Sequence, residues 1–183
     1  MRFDADEHLE RWRGTGRFPA IHDAVAKMVV EETRSTRWCD LCSSTGLLAA
    51  RLRTKHRMFA VAIEGDADAV GRGIRAGVRT DGVLVTRIDF DHLDEVRMHL
   101  ETHRVQGIVA RRCFPELFEV PGNLTALPRL FAEAGVQELV VEGRVASARA
   151  TSAFASIVQE VAALAPYYIE ARRVGAVSYL RRG

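Results

Sequence analysis

The chain has 183 residues, of which 48% are hydrophobic and 27% charged, and its formal net charge is +2. This length predicts one domain that buries most of its apolar surface, and this composition excludes a disordered chain. A net charge so near zero does not by itself indicate a nucleic-acid partner. No apolar run approaches the roughly 18 residues of a membrane span. The first residues also lack the apolar region of a signal peptide, so we predict no membrane contact and a cytoplasmic location.

Alternating strand and helix patterns follow from residue 20 onward. Apolar residues at helical spacing predict a first helix over 20–34. Five buried strands are predicted at 37–42, 58–63, 83–88, 105–110 and 136–142. Helices are predicted after them at 45–54, 66–76, 92–103, 123–134 and 151–164. The stretch before residue 123 contains Pro115, Pro121 and Gly122 and is predicted to be irregular.

The chain ends in a hairpin pattern instead of a further strand–helix unit. Residues 167–173 and 177–181 are predicted to be two strands joined by a tight turn at Gly175. Five strand–helix units predict a parallel sheet with helices on both faces. We therefore predict a single α/β domain, with its core over 20–183 and an N-terminal arm or lid over 1–19.

A loop of small residues joins the first predicted strand to its helix. It begins after Asp40 and ends at Gly46, and the second strand ends eighteen residues later in Glu64. A helix N-terminus offers unpaired backbone N–H groups, and a carboxylate on the neighbouring strand can accept hydrogen bonds from both hydroxyls of a ribose. The arrangement predicts a nucleoside-binding half-site at the carboxyl ends of these two strands.

The loop lacks the residues of two common nucleotide-binding motifs. A dinucleotide fingerprint needs G-x-G-x-x-G, but the only glycine in the loop is Gly46. A P-loop needs Lys followed by Ser or Thr, and Leu47 and Leu48 stand there instead.

The pattern that remains resembles motif I of the class I S-adenosylmethionine-dependent methyltransferases, usually Asp/Glu-x-Gly-x-Gly-x-Gly. Asp40 stands at the acid position, and Cys42, Ser44 and Gly46 stand at the three glycine positions. Glu64 matches the ribose-binding acid of the family. Where such a glycine position has a positive φ, another residue costs on the order of 1–2 kcal/mol.

The resemblance implies a Rossmann-like fold that ends in an antiparallel hairpin, with S-adenosylmethionine as the cofactor. Asp40 would anchor the loop by accepting backbone N–H groups, and Glu64 would bind the ribose. Asp89 and Phe90 stand where family members hold adenine. The implied cofactor-binding residues are Asp40, Cys42, Ser43, Ser44, Gly46, Glu64, Gly65, Asp89 and Phe90.

The fourth strand is followed by Arg111 and Arg112, where many amino-methylating members of the family carry Asn/Asp-Pro-Pro-Tyr/Phe. The absence of that motif argues against adenine or cytosine amino methylation of that type. The two arginines are predicted to bind an anionic substrate, a carboxylate or a phosphate. Trp12 belongs to the N-terminal arm, which would contribute to the substrate site if the arm folds over it as a lid.

The predicted reaction is a direct in-line displacement at an already activated methyl group, so alignment supplies much of the catalysis and a general base is not required. The sequence does not choose between a small-molecule and a nucleic-acid acceptor, and it does not predict an oligomeric state. The alternative function is an inactive methyltransferase-like module that serves in binding or assembly.

Three cysteines, Cys39, Cys42 and Cys113, include one C-x-x-C spacing. No second Cys or His pair follows at a zinc-ligand spacing. Cys39 is predicted to lie within a strand instead of at the helix start that a thioredoxin-like motif requires. We therefore predict no metal and three reduced cysteines.

Overall fold

The computed structural model describes residues 17–78, 84–89, 92–143 and 156–183. Within these ranges the helices are α1 (Arg17–Glu32), α2 (Leu47–His56), α3 (Ala67–Arg75), α4 (Leu93–Thr102), α5 (Phe114–Glu119), α6 (Asn123–Glu133) and α7 (Ile157–Leu164). The strands are β1 (Arg37–Leu41), β2 (Phe59–Glu64), β3 (Leu84–Arg87), β4 (Gly107–Arg111), β5 (Glu138–Glu142), β6 (Tyr168–Val174) and β7 (Val177–Arg182).

The strands form one seven-stranded sheet in the order β3-β2-β1-β4-β5-β7-β6. The first five in this order are parallel, and β7 pairs antiparallel with both β5 and β6. The predicted parallel sheet with a terminal hairpin is therefore confirmed. Because the strand order reverses between β1 and β4, their carboxyl ends form the switch point at which open α/β sheets bind ligands.

Helices cover both faces of the sheet, and strand alternation sorts the core into two clusters. On β1, Trp38 packs in the cluster beneath α1 and α2, whereas Cys39 and Leu41 pack in the cluster beneath α4 to α7. Trp38 is fully buried, and its indole N–H donates to the carbonyl of Ser35. Both faces of the central strands are thus apolar, as expected of a covered parallel sheet.

The helix α5 lies in the stretch that the sequence predicts to be irregular, so that prediction is wrong for residues 114–119. Pro115 stands in its first turn, where the missing N–H has no helical partner in any case. The helix predicted from residue 151 is α7, which begins after a capping box of Ser156 and Gln159. Residues 151–155 and most of the predicted N-terminal arm lie outside the described residues.

None of the helices in the described part is long and apolar enough to cross a membrane.

Candidate functional site

The loop between β1 and α2 has an unusual backbone. Cys42, Ser44 and Gly46 have φ values of 54°, 53° and 80°, all in the left-handed region. These are the three positions at which the resemblance places glycine. Since Cys42 and Ser44 carry a Cβ atom, each adds about 1–2 kcal/mol of backbone strain. A strained backbone persists only where the surrounding structure holds it, and such positions concentrate at functional sites.

Three consecutive hydroxyl groups of this loop lack a hydrogen-bond partner among the described residues. The oxygen atoms of Ser43, Ser44 and Thr45 are all buried and unpaired there. Ser43 and Thr45 are only 9% and 1% exposed. Buried hydroxyls are normally hydrogen-bonded, and each unpaired one carries a desolvation cost of about 1–3 kcal/mol. The loop therefore holds polar groups that the described part of the fold does not satisfy.

Asp40 fastens this loop to the helix that follows it. Its Oδ2 accepts the backbone N–H of Ala49 in the first turn of α2 over 3.0 Å. The side chain is buried, and burial raises the pKa of Asp40 to about 7. The Ala49 N–H and the charge of Arg111 oppose this rise in pKa, whereas the nearby Glu64 adds to it.

Glu64 fastens the same loop to β2. Its Oε2 accepts the backbone N–H of Ser44 over 2.6 Å, and its Oε1 accepts the backbone N–H of Asp66 over 2.9 Å. Burial raises the pKa of Glu64 above its ordinary value, although these backbone hydrogen bonds work in the opposite direction. The backbone N–H of Gly65 also interacts with this carboxylate, so of its about four acceptor positions one is left for a ligand.

Helix α3 packs closely on the loop through Gly73. A Cβ atom at this position would lie 2.4 Å from the carbonyl oxygen of Thr45, well inside van der Waals contact. Only glycine allows the helix and the loop backbone to approach so closely.

Arg111 and Arg112 both pair with Glu142 at the end of β5. The Nε of Arg111 lies 2.6 Å from Oε2 of Glu142, and the Nε of Arg112 lies 2.9 Å from Oε1. The Glu142 side chain is 4% exposed, that of Arg111 14% and that of Arg112 48%. The structure thus brings both predicted arginines to the switch-point edge of the sheet but exposes only one of them.

The predicted adenine-binding position lies two residues beyond β3. The backbone N–H of Ile88 donates to the carbonyl of Glu64, which places this segment beside the end of β2. Asp89 is exposed, and its carboxylate lies 3.6 Å from the imidazole of His92. Phe90 and Trp12 lie outside the described residues.

Sequence reasoning missed Glu142 and Gly73. Glu142 ends the apolar run of β5 just as Glu64 ends that of β2. An acidic residue at the end of an apolar strand therefore indicates both positions in the sequence. Gly73 carries no comparable signal, because an isolated glycine in a helical pattern does not say what approaches it.

The cysteine that interacts with Cys42 in the fold is Cys113, which is distant from it in the sequence. Cys42 lies near enough to Cys113 for the two thiols to interact, and the Sγ of Cys113 donates to the carbonyl oxygen of Leu41 over 3.7 Å. Cys39 is fully buried within β1. Within the described ranges, no three metal-ligating side chains come together.

No protein-family model matches the chain, and no curated protein matches it. Solved structures match it with low identity. The N-methyltransferase NodS from Bradyrhizobium japonicum WM9 superimposes with a TM-score of 0.67 and 13% identity, over 92% of this chain and 98% of NodS. NodS in complex with S-adenosyl-L-homocysteine gives a TM-score of 0.63 and 12% identity, over 90% and 86% of the two chains.

A SAM-dependent methyltransferase from Archaeoglobus fulgidus gives a TM-score of 0.52 at 14% identity, over 77% of this chain and 58% of that one. Identities this low carry information about the fold alone. The chain has the Rossmann-like fold that these methyltransferases share.

Proposed function

We propose that this protein is an S-adenosylmethionine-dependent methyltransferase. One observation carries the proposal. Residues 42, 44 and 46 are left-handed at the three glycine positions of motif I, and the acid at the end of β2 bonds directly to that loop. The loop stands in a fold similar to that of NodS, which has been solved in complex with S-adenosyl-L-homocysteine.

The chemistry of the loop suits an amino-acid nucleoside. The hydroxyls of Ser43, Ser44 and Thr45 lack partners in the described part of the chain and can each donate and accept a hydrogen bond. They match the ammonium and carboxylate of a methionine moiety, beside the short chain of Cys42 and the backbone of Gly46. The site residues therefore fit the cofactor, and Asp40 holds the loop in place through its bond to the backbone N–H of Ala49.

The nucleoside end is assigned to the residues after β2 and β3. Glu64 keeps about one acceptor position for a ribose hydroxyl beyond its interactions with the N–H groups of Ser44, Asp66 and Gly65. We assign Gly65, which directly follows Glu64, to the same nucleoside-binding edge. We assign the binding of the adenine ring to Asp89 and Phe90.

The bound cofactor supplies a methyl group already activated on a sulfonium, which an acceptor atom can displace in line. The protein then has to hold the acceptor in line with that methyl group and exclude water. A base is needed only if the acceptor must lose a proton. The acceptor side of the site is assigned to the carboxyl ends of β4 and β5, with Trp12 from the N-terminal arm as its proposed cover.

The cytoplasmic location, the single domain and the role of this arm stay predictions.

Isothermal titration calorimetry with S-adenosylmethionine and S-adenosyl-L-homocysteine tests the proposal. The wild-type protein is expected to bind both, and Glu64→Ala is expected to bind them at least about ten-fold more weakly, or about 1.4 kcal/mol. Glu133→Ala is the matched control, because Glu133 pairs with Arg97 and Arg129 on the surface of α6. Its binding is expected to equal that of the wild type.

A wild-type protein that is folded by circular dichroism but binds neither nucleoside would overturn the proposal. An inactive binding or assembly module would then be the function to pursue.

A further inference from the structure

The two arginines that follow one another at the end of β4 have different surroundings. The side chain of Arg111 is largely buried and lies close enough to Asp40 to lower the pKa of that carboxyl. Its Nε is bonded to Oε2 of Glu142. Arg111 thus faces two buried carboxyl groups and has little surface left for a ligand.

Arg112 is held by the same carboxylate but reaches the surface. Its Nε and Nη2 both lie 2.9 Å from Oε1 of Glu142. A guanidinium has five N–H groups in a planar fork, so three of them make no bond within the described residues. Nearly half of this side chain is exposed, at the edge where β1 and β4 diverge.

The backbone of Arg112 is also constrained. Its φ is 56°, and its N–H donates to the carbonyl oxygen of Glu142 over 2.7 Å. A left-handed arginine costs about 1–2 kcal/mol relative to glycine. Glu142 holds Arg112 in this conformation through contacts to both its main chain and its side chain.

Two carboxyl groups and two guanidinium groups meet at this edge of the sheet. Arg111 faces both Asp40 and Glu142, whereas Arg112 pairs with Glu142 alone among the described residues. The guanidinium of Arg112 is also the more exposed of the two, so it is the one available for bidentate contact with a flat anion.

We propose that Arg112 binds a carboxylate or phosphate group of a small methyl acceptor, while Arg111 acts through Glu142 as a positioning residue. That the bound anion belongs to a methyl acceptor rests on the proposed function, whereas the anion site itself does not. A nucleic-acid acceptor would require an arginine surface continuous with Arg112, and among the described residues Arg173 does not extend one. Arg173 is tied to Glu170 on β6, three strands from β4 and roughly 14 Å away at the usual strand spacing.

Thermal unfolding with inorganic pyrophosphate and with malonate tests this anion site, against sodium chloride at equal ionic strength. At least one of the two anions is expected to raise the melting temperature of the wild type beyond the effect of sodium chloride. The anion with the larger effect identifies phosphate or carboxylate as the preferred group. Arg112→Gln is expected to need at least about ten-fold more of that anion for the same shift.

Two further variants separate binding from folding. Arg112→Gly removes the side chain and relieves the left-handed backbone, so it folds and should also lose the shift. Arg129→Gln is the matched control, since Arg129 is an exposed arginine that also pairs with a glutamate, Glu133. It should keep the full shift.

Equal shifts in the wild type and in Arg112→Gly, or no shift in the wild type beyond sodium chloride, would overturn the anion site. Calorimetry with S-adenosyl-L-homocysteine on the same preparations reports separately on the proposed function. A wild type that shows the pyrophosphate or malonate shift but no nucleoside binding would keep the anion site and overturn the methyltransferase assignment.

Discussion

The backbone N–H of Ser44 donates to Oε2 of Glu64 over 2.6 Å and so joins the loop after β1 to the end of β2. Ser44 has a left-handed backbone, and this bond is one of the contacts that hold it there. The hydroxyl of Ser44 contributes no bond within the described residues. The main chain of Ser44 therefore carries the structural role of this position, whereas its buried hydroxyl has none among the described residues.

Ser44→Gly is expected to stabilise the protein. Glycine keeps the N–H that Glu64 accepts and removes about 1–2 kcal/mol of left-handed strain, against about 0.5–1 kcal/mol of added chain entropy in the unfolded state. Glycine also removes the unpaired buried hydroxyl and its desolvation cost. The free energy of unfolding, measured by urea titration, should therefore rise by at least about 0.5–1 kcal/mol.

Ser43→Gly is the control for this change. Ser43 is adjacent, also has an unpaired buried hydroxyl, and does not have a positive φ. Its replacement removes the same desolvation cost and adds the same chain entropy but relieves no left-handed strain, so its gain in unfolding free energy should be about 1–2 kcal/mol smaller than that of Ser44→Gly. Equal gains for both glycine variants would mean that backbone strain at Ser44 is not the cause.

Gly73→Ala is expected to destabilise the protein, although alanine normally stabilises a helix by about 1 kcal/mol relative to glycine. The new Cβ would lie 2.4 Å from the Thr45 carbonyl oxygen, so helix α3 or the loop must shift. Overpacking of this kind costs about 1–3 kcal/mol. In the same helix a Cβ at Gly71 would meet only the flexible end of Arg75, at 3.3 Å.

Gly71→Ala should therefore gain up to about 1 kcal/mol in urea unfolding while Gly73→Ala loses stability. Calorimetry with S-adenosyl-L-homocysteine on Gly73→Ala should also show weaker binding, since the loop would be displaced. A gain in stability for both variants would contradict the close approach of α3 to the loop.

The sheet and the order of its elements could be predicted from the sequence because each strand is a short apolar run followed by a helical pattern. The loop could be predicted as well, since small residues between a strand and a helix, with an acid at the next strand end, form a local signal. Helix α5 was missed because Pro115 was interpreted as a break, although proline is well tolerated in a first helical turn.

Contacts between distant residues could not be predicted in this way. The sequence places Arg111 and Arg112 side by side and does not say that Glu142 buries one of them and leaves the other exposed. It likewise pairs Cys39 with Cys42 by spacing, whereas folding brings Cys42 to Cys113. Such pairings depend on which strands become neighbours, and that is decided by the whole sheet.

Mild oxidation with diamide is expected to link Cys42 to Cys113. Diamide takes up the two thiol hydrogens and is reduced to a hydrazine as the S–S bond forms. The two thiols are near enough to interact and Cys42 is partly exposed, whereas Cys39 is fully buried. Since burial raises the pKa of the Cys42 thiol well above its ordinary value, the linkage should form faster as the pH rises.

Peptide mapping without reductant identifies the linkage. Cys39→Ser should form the same cross-link as the wild type, and Cys113→Ser should form none. A Cys39–Cys42 cross-link in the wild type would show that the C-x-x-C spacing, and not the contact between β1 and β4, decides the pairing.

Asp40→Asn is expected to change how stability depends on pH. Burial raises the pKa of Asp40 from 3.8 to about 7 in the folded protein, so the folded state holds this proton more tightly than the unfolded state. The resulting stabilisation is fully present below about pH 4 and is lost as the pH rises to about 7. Asparagine cannot ionise and can still accept the N–H of Ala49. Between pH 5 and pH 8, the wild type should therefore lose about 2–3 kcal/mol of unfolding free energy relative to Asp40→Asn.

Urea unfolding at pH 5, 6, 7 and 8 measures this difference, with Glu138→Gln as the control. Glu138 is also a buried carboxylate, but hydrogen bonds from Ser35 and Tyr179 outweigh its burial and lower its pKa. Its stabilisation is lost only as the pH falls through the acid range, so the difference between the wild type and Glu138→Gln should stay constant from pH 5 to pH 8. A constant difference for Asp40→Asn as well would mean that Asp40 is ionised throughout this range. The anchor of the loop would then be a charge held by Arg111 and the Ala49 N–H, instead of a carboxyl group that burial keeps protonated.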